Sequence, residues 1–406
     1  MAWLTALGVG LLPATAGART SAGASRIATT GEARKPYMGW NSYYGLGLRY
    51  DEGTIVSVTD AIVARGLPAV GYRYVWLDAG WWSGPRDATG AIVVDARQWP
   101  HGMKWLADYI HAKGLLAGIY TDAGPDGCGR AGNLQGGSFG HYHQDANQFA
   151  AWGYDAVKVD YCGARTLGVD PARPYRAFAH ALRYNASHRA ILLNVCNSRH
   201  NRFGYRYSHR FAPTIAASWR TGADLGVPQA VPFSGVLRNL DDNAAHPEAA
   251  GPGHWNDPDY LVPELGLSDV EAQTQFTMWV MMAAPLVLGT DVRTMSESAQ
   301  RVVTNPRAIA IDRDRAGVQG TRIARHGARE VWAKPLANGD RAVALLNRGY
   351  GLRRISTSAK ALGLAPARRY RVLDVWTGQR AVTSGRIVGT VPAHGAVLFR
   401  VSRRRR

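Results

Sequence analysis

One local pattern recurs along the chain after residue 35: a helix-like segment that ends at glycine, then a short apolar strand that ends in a polar residue. The pattern occurs in MKWLADYIHAKG followed by LLAGIYTD, and in QFAAWG followed by YDAVKVD. Helices that alternate with buried apolar strands indicate a parallel sheet covered by helices. About eight such strands favour a closed (β/α)8 barrel, because no glycine-rich nucleotide fingerprint opens a helix as an open sheet would normally require.

The helical pattern stops near residue 315. The sequence then contains REVWAKPL, RAVALLN, RYRVLDVWTG and GAVLFRV, which alternate polar and apolar residues between turn signals and are typical of an antiparallel sandwich. We therefore predict an α/β fold with a catalytic barrel over 34–314, a β-sandwich over 315–402 and a basic tail at 403–406. The apolar LTALGVGLLPATAG near the start predicts that 1–33 are a signal peptide and flexible spacer of a secreted protein.

The net charge of +18 is concentrated in the last fifth of the 406 residues. Residues 321–406 hold 19 basic and 3 acidic residues, which leaves 29 basic and 27 acidic residues in the rest. A nearly neutral bulk argues against nucleic acid as the primary partner, whereas an accessory polyanion contact through the Arg-rich C-terminal region stays open. Hydrophobic residues make up 46% of the chain without a long uninterrupted apolar run, so we expect a globular protein with no membrane span.

Polar residues end the predicted barrel strands, and the active site of such barrels lies at that end. These residues are Asn41, Asp78, Asp122, Asp160, Asn197 and Asp257. In YDAVKVDYC, Lys158 and Asp160 share one strand face, so both are expected to point towards the barrel lumen or its mouth. Two ionisable side chains on an inner face are costly unless they are functional or paired. A structural Lys–Asp pair is the alternative.

A further carboxylate, Asp224, lies in the turn ASWRTGADL after a predicted strand. Two carboxylates that face each other across a sugar are the pair that glycosidases use, although Asp224 could also be a helix N-cap. Flat indole rings that could stack on pyranose sugars lie beside several strand ends, although core packing accounts for most tryptophans. These are Trp40, Trp81, Trp82, Trp219 and Trp255.

The chain resembles glycoside hydrolase family 27, the α-galactosidases or melibiases, in an ordered series of motifs. They are KPYMGWNSYYG, YVWLDAGWW, GLLAGIYTDAG, WGYDAVKVDYC, SWRTGADL, HWNDPDYL, APLVLGTDVR and EVWAKPLANGDRAVALLNR, within residues 36–402. The resemblance implies a (β/α)8 barrel followed by an antiparallel β-sandwich, in agreement with the pattern above. It also implies a retaining exo-glycosidase that acts on oligosaccharides or polysaccharides.

Roles follow from the resemblance by position. Asp160 matches the nucleophile of the K-x-D-x-C motif, and Asp224 matches the general acid/base that follows W-R. Lys158 and Arg220 match residues that bind sugar hydroxyls, and we expect these two cations to keep Asp160 ionised. The remaining substrate-binding positions that the resemblance implies are Trp40 in the pocket wall, Tyr120 near the ring, Asp78 at O4 and O6, and Asn197.

Two departures from the family pattern bear on the sugar. Ala79 stands where the second of two adjacent acids holds O4 and O6, and Asn197 replaces the glutamate of a Cys-Glu-Trp motif. Galactose differs from glucose in its axial O4, so a β-L-arabinopyranosidase or an isomaltose-releasing dextranase stays open beside the leading α-galactosidase hypothesis. A non-catalytic carbohydrate-binding protein is the alternative from another class.

The resemblance also implies a disulfide between Cys128 and Cys162, which suits an oxidising compartment. Cys196 is expected to be a buried thiol, because Ala216 stands where its usual partner would be. No cluster of histidine, cysteine and carboxylate residues has zinc-like spacing, and H-E-x-x-H does not occur. We therefore predict no metal and no cofactor.

Overall fold

The computed structural model describes Met1 and residues 31–82, 84–128, 136–163, 168–197 and 205–404. Most of the predicted signal peptide and spacer, and the last two residues of the basic tail, lie outside the described residues. Among the residues that are described, no helix has the length and apolar character needed to cross a membrane.

Eight parallel strands form the first sheet: β1 (Met38–Asn41), β2 (Tyr72–Trp76), β3 (Leu116–Asp122), β4 (Ala156–Asp160), β5 (Leu192–Cys196), β6 (Ser218–Arg220), β7 (Trp255–Asp257) and β8 (Leu286–Leu288). Their order is β7-β6-β5-β4-β3-β2-β1-β8. Leu261, which follows β7, pairs in parallel with Leu288 of β8 and donates its backbone N–H to Val287. This contact closes the sheet, and the predicted (β/α)8 barrel is confirmed.

Ten helices lie within the described part of the chain. They are α1 (Tyr43–Leu46), α2 (Glu52–Ala64), α3 (Leu67–Val70), α4 (Gly102–Ala112), α5 (Tyr142–Trp152), α6 (Ala172–Arg183), α7 (Phe233–Asn243), α8 (Asp269–Met281), α9 (Glu297–Val303) and α10 (Pro306–Asp312). Local sequence fixes where α8 begins, because Ser268 accepts a hydrogen bond from Glu271 N while the Glu271 side chain accepts one from Ser268 N.

Aromatic rings fill the lower part of the barrel. Tyr37, Tyr74 and Trp76 pack against one another with ring centroids 5.6–6.1 Å apart. A side chain at Gly118 on the neighbouring strand would bring its Cβ within 2.5 Å of the Trp76 ring, so this position requires glycine. The lumen is therefore a packed core, and substrate can enter only where the strands end.

The C-terminal domain contains eight antiparallel strands: β9 (Thr321–His326), β10 (Arg329–Pro335), β11 (Arg341–Asn347), β12 (Arg353–Ser358), β13 (Tyr370–Asp374), β14 (Arg380–Thr383), β15 (Arg386–Val391) and β16 (Ala396–Arg403). Six of them form a sheet in the order β14-β13-β16-β11-β10-β9, and β12 pairs with β15. Ile355 and Ile387 of the small sheet share a buried cluster with Val343 and Val401 of the large one. The predicted β-sandwich is confirmed.

Helix α8 lies between the two domains. The Trp376 indole N–H donates to Thr277 Oγ1 at 3.1 Å, and Lys334 Nζ donates to the Val280 carbonyl at 3.0 Å. A second connection joins α7 to the sandwich, where Arg348 contacts Asp241 at 2.7 Å. The sandwich is therefore fixed against the helices that begin at the carboxyl ends of β6 and β7. This position becomes important for the site described below.

Candidate active site

A pocket of about 490 Å³ opens at the carboxyl ends of the barrel strands. Its walls come from the ends of β2 to β6 and from the loop that follows β6. Seven of the eight predicted catalytic and substrate-binding residues line it, namely Asp78, Tyr120, Lys158, Asp160, Asn197, Arg220 and Asp224. Trp40 is the exception: it is 1% exposed, and its indole N–H donates to the Thr290 carbonyl at 2.7 Å.

Asp160 ends β4, where the predicted alternation holds: Val157 and Val159 are buried away from the pocket. The Asp160 carboxyl accepts hydrogen bonds from Tyr120 OH at 3.2 Å and from Tyr161 N at 2.9 Å. These two donors fix its orientation while leaving it on the pocket surface.

The electrostatics of Asp160 differ from our expectation that nearby cations keep it fully ionised. Burial raises the pKa of Asp160 to about 6, although the positive charge of Lys158 acts in the opposite direction. The negative charges of Asp224 and Asp78 add to the increase. Removal of a carboxylate from water disfavours its charged form, and here burial outweighs the attraction of the lysine.

Lys158 pairs with Asp78 rather than with Asp160. Its Nζ lies 2.8 Å from Asp78 Oδ2, an oxygen that also accepts from Asn41 Nδ2 at 2.9 Å. Burial alone would lower the pKa of Lys158, but neighbouring negative charge, above all that of Asp78, raises it. Both side chains are buried, and both line the pocket. A ligand in the pocket therefore meets an ammonium group and a carboxylate side by side.

Arg220 is shared by two carboxylates of very different exposure. Its Nη2 lies 2.8 Å from Asp259 Oδ2 and 3.2 Å from Asp224 Oδ1. The Asp259 side chain is fully buried, whereas that of Asp224 is 51% exposed. Burial raises the pKa of Asp259 to about 6 against the effect of Arg220. The ion pair of Arg220 with Asp224 is therefore longer and more exposed than its ion pair with Asp259, and Asp224 faces solvent at the pocket mouth.

Asp259 is a site residue that the sequence interpretation missed. It follows β7 within HWNDPDYL and has a φ of +87°. Its Oδ2 also accepts from Tyr44 OH at 2.6 Å and from Leu225 N at 3.0 Å. The carboxylate thus positions Arg220 and the start of the loop after Asp224. The position of Asp259 two residues after a strand-ending aspartate could have indicated this role.

The tryptophans proposed as stacking surfaces are all core residues. Trp40, Trp81, Trp82, Trp219 and Trp255 are each 4% exposed or less, and none lines the pocket. Trp82 acts indirectly, because its ring stacks on Tyr120 at 5.5 Å with an angle of 8° between the planes. The core-packing explanation therefore accounts for them, and the aromatic rings that line the pocket are those of Tyr43 and Tyr120.

The disulfide implied by the resemblance is present. Cys128 and Cys162 are bonded with their Cα atoms 5.1 Å apart, and both line the pocket. Cys196 is the buried free cysteine that we expected, and burial raises the pKa of its thiol.

Asp122 and Asp160 lie close enough to the two disulfide sulfurs for four ligand atoms to surround an ion. The sulfurs are joined to each other, however, and cannot be thiolate ligands. Asp122 instead accepts backbone N–H groups from Gly124 at 2.6 Å and Cys162 at 2.7 Å. Burial and the charge of Asp160 raise the pKa of Asp122. These four groups therefore do not fit a metal ion. The Asp122 carboxylate instead connects the loop after β3 to the loop after β4.

Both departures from the family pattern lie on the pocket wall. Ala79 is 2% exposed and follows Asp78, whose Oδ1 accepts the Ala79 N–H at 2.9 Å. Asn197 is 3% exposed and follows β5. A methyl group and a neutral amide thus stand where two carboxylates would be expected, and the pocket is less acidic on this side.

A barrel whose strand ends and following loops place three aspartates, a lysine and an arginine around one pocket has the architecture of a glycoside hydrolase. Residues 50–314 match the family described as alpha galactosidase A, and residues 326–401 match the alpha galactosidase C-terminal beta sandwich domain. The chain belongs to glycoside hydrolase family 27, the α-galactosidase family.

Individual relatives cover nearly the whole chain. Alpha-galactosidase A of Cellvibrio japonicus is 35% identical over an alignment of 391 residues that covers 92% of this chain and 93% of that protein. An alpha-galactosidase of Cyamopsis tetragonoloba is 34% identical over 375 residues, 92% of this chain and 87% of its own. The crystal structure of alpha-galactosidase I from Mortierella vinacea superposes with a TM-score of 0.83 at 28% identity, covering 93% of this chain and 99% of that one.

Proposed function

We propose that this glycoside hydrolase removes terminal α-D-galactosyl residues from oligosaccharides or polysaccharides with retention of configuration, with Asp160 as nucleophile and Asp224 as general acid/base. One observation carries the proposal: a buried, oriented carboxylate and a half-exposed one line the same pocket. The names of the relatives support α-galactosides as substrates.

In the first step, an Asp160 oxygen forms a bond to the anomeric carbon while the glycosidic C–O bond breaks. Tyr120 and the Tyr161 N–H hold the carboxylate for this attack. Asp224 gives its proton to the departing oxygen, which leaves as an alcohol. The product is a covalent glycosyl-enzyme with inverted configuration.

In the second step, Asp224 takes a proton from water, whose oxygen attacks the anomeric carbon and releases Asp160. Two inversions give net retention. Asp224 thus regains the proton that it gave to the leaving oxygen in the first step, and its half-exposed position at the pocket mouth is open to the attacking water. Asp160 needs no proton in either step, because it acts as nucleophile and then as leaving group.

The pair of Lys158 and Asp78 would grip the hydroxyls of the sugar. Asp78 already accepts three hydrogen bonds from the protein, and its two oxygens together offer about four acceptor sites. Lys158 has further N–H donors beyond the one used for Asp78. The pair can therefore accept from one hydroxyl and donate to another.

Ala79 bears on which sugar the pocket accepts and not on the reaction. An apolar wall next to Asp78 favours a β-L-arabinopyranoside or an isomaltosyl unit as the alternative substrate within the same mechanism. Hydrolysis rates on nitrophenyl α-galactoside, β-L-arabinopyranoside and α-glucoside, and on dextran, decide between them. A mechanism-based fluorosugar of the preferred configuration should label Asp160, and labelling of a different carboxylate would overturn its assignment as nucleophile.

We also infer export of the protein, since the disulfide at the pocket would not persist in a reducing cytosol. N-terminal sequencing of enzyme from the culture medium tests this point. We also propose that the Arg-rich sandwich makes an accessory contact with polyanions. The exposed side chains of Arg353, Arg371 and Arg380 motivate this proposal. Salt-sensitive retention on heparin would support it, and elution at low salt would exclude it.

A further inference from the structure

Two turns of the sandwich lie at the pocket end of the barrel. Residues 348–352 connect β11 to β12, residues 392–395 connect β15 to β16, and His394 N donates to the Gly349 carbonyl at 3.1 Å. His394 Nδ1 lies 2.7 Å from Glu271 Oε1, in the first turn of α8. Its ring also stacks on Phe233, the first residue of α7, with centroids 4.8 Å apart. Both helices begin at the carboxyl ends of barrel strands, so these turns share the end that carries the pocket.

An aromatic surface extends outwards from this contact. The Tyr350 ring lies 4.9 Å from the His394 ring, and Tyr350 is 90% exposed. We define Tyr350, His394 and Phe233 as the rim platform. His394 and Phe233 are fixed by the contacts above, so the outermost ring stands on a rigid base while its own surface stays open to solvent.

The rim platform is continuous with the pocket. Pro232, which immediately precedes Phe233, lines the pocket, and so does Val227 of the same loop. Val227 is 61% exposed. Val227 and Pro232 are thus exposed at the pocket mouth, and the buried ring of Phe233 connects Pro232 through His394 to the exposed Tyr350. Single exposed apolar residues need no explanation, but a connected series that leaves an active-site pocket marks a ligand path.

We propose that the rim platform is a binding subsite for the leaving-group side of an oligosaccharide substrate, with Tyr350 stacking on the C–H face of a sugar beyond the cleaved bond. This inference rests on the proposed function. An exo-acting pocket encloses the terminal sugar, so the rest of the substrate must leave through the mouth. The sandwich domain therefore takes part in substrate selection, and the preferred substrate is longer than a disaccharide.

Tyr350→Ala tests this assignment with two substrates. A nitrophenyl α-galactoside fills the pocket alone, whereas a trisaccharide or tetrasaccharide that ends in α-galactose also reaches the rim. We expect kcat/KM on the longer substrate to fall about five- to tenfold through KM, because one face of an aromatic ring is no longer buried. The value on the nitrophenyl substrate should stay within about twofold. Tyr350→Phe keeps the ring and should retain the wild-type ratio of the two activities.

Tyr184→Ala is the matched control. Tyr184 is 57% exposed at the C-terminal end of α6, which is the barrel end opposite the pocket. Its replacement should change neither activity. An unchanged ratio in Tyr350→Ala, or an equal fall on both substrates, would overturn the rim platform. Absence of wild-type turnover on the nitrophenyl α-galactoside would count instead against the proposed function, so the two failures are distinguishable.

Discussion

Burial raises the pKa of Asp160 to about 6, well above the ordinary value of 3.8, and this has opposite consequences for activity and stability. The proposed mechanism needs Asp160 as a carboxylate, so kcat/KM should fall about tenfold per pH unit below pH 6. The folded protein binds the proton more tightly than the unfolded chain. The stabilising effect of that proton is therefore complete below the unfolded pKa and is lost as the pH rises through about 6.

Asp160→Asn should for this reason be inactive but more stable at neutral pH. We expect kcat to fall by about 10⁴-fold or more, since no covalent intermediate forms. The free energy of unfolding at pH 7 should rise by about 2–3 kcal/mol, and the gain should vanish near pH 4. Denaturant unfolding at both pH values measures it. Asp60→Asn is the control, because Asp60 is paired with Lys113 at the surface and its pKa is lowered; a gain there as well would contradict this explanation.

Asp224 faces solvent, and its removal should affect substrates according to their leaving group. Asp224→Ala should reduce kcat/KM by about 10²–10⁴-fold on an oligosaccharide, whose leaving alcohol needs a proton. The nitrophenolate of a nitrophenyl glycoside leaves without a proton, so kcat/KM on that substrate should fall much less. Azide should restore turnover of the nitrophenyl substrate, with release of a glycosyl azide. Equal losses on both substrates and no effect of azide would remove Asp224 from this role.

Ala79 is a buried methyl group beside Asp78, at the position where sugar selection is most open. Ala79→Asp should raise the ratio of α-galactosidase to β-L-arabinopyranosidase activity by about tenfold or more, because a charged hydrogen bond contributes about 1.5–3 kcal/mol. Ala79→Asn, which has the same size without the charge, is the matched control. A lower ratio in Ala79→Asp would show that a different residue, such as Asn197, makes the contact to O4.

Strand register placed Lys158 and Asp160 in the pocket, whereas Asp224, on the loop after β6, was assigned there through the family resemblance. Lys158 and Asp160 alternate with two valines along β4, and a period of two determines which of them face the lumen. The partner of Lys158 could not be obtained in this way, because Asp78 lies 80 residues away and meets it only across the barrel mouth. Asp259 was missed for the same reason: its contact with Arg220 depends on loop conformation.

At the scale of the element, strand ends are tied by the disulfide and by Asp122. The Cys128–Cys162 bond closes a sequence separation of 34 residues between the loops after β3 and β4. In the chain-entropy account, removal of such a link costs about 3–4 kcal/mol. Cys128→Ala/Cys162→Ala should therefore lower the free energy of unfolding by about this amount. Cys196→Ala, which touches no disulfide, is the control, and mass mapping of the native enzyme should find Cys196 unlinked.

Element types were predictable from periodicity, whereas element length was not. Strands β6, β7 and β8 are three residues each, yet tryptophan and apolar runs made them recognisable. The approach of the sandwich turn at His394 to Phe233 was not expected. Such contacts arise from how two domains dock, and neither hydrophobic period nor turn chemistry in a single segment encodes docking.

At the scale of the whole molecule, Lys334 fastens the sandwich to the barrel from within the junction. It is 0% exposed, and its Nζ donates to the Val280 carbonyl at 3.0 Å and to the Asp312 carbonyl at 3.4 Å. Burial lowers the pKa of Lys334 to about 8, although the charge of Asp312 acts against this decrease. The folded state therefore releases this proton more readily than the unfolded chain. Its contribution to stability should rise with pH between about 8 and the ordinary value of 10.5.

Lys334→Met keeps the volume of the side chain but removes both donors, so the carbonyls of α8 and α10 lose their partner inside the junction. We expect the free energy of unfolding to fall by about 1–3 kcal/mol, because two buried carbonyls lose their donor. The pH-dependent gain above pH 8 should disappear with it. Because the pocket lies at the strand ends, kcat/KM on a nitrophenyl galactoside at low temperature should be unchanged. Arg341→Met, on the same sheet but with a partly exposed side chain, is the control. If Lys334→Met unfolds no more easily than that control, the two hydrogen bonds of Lys334 do not stabilise the junction.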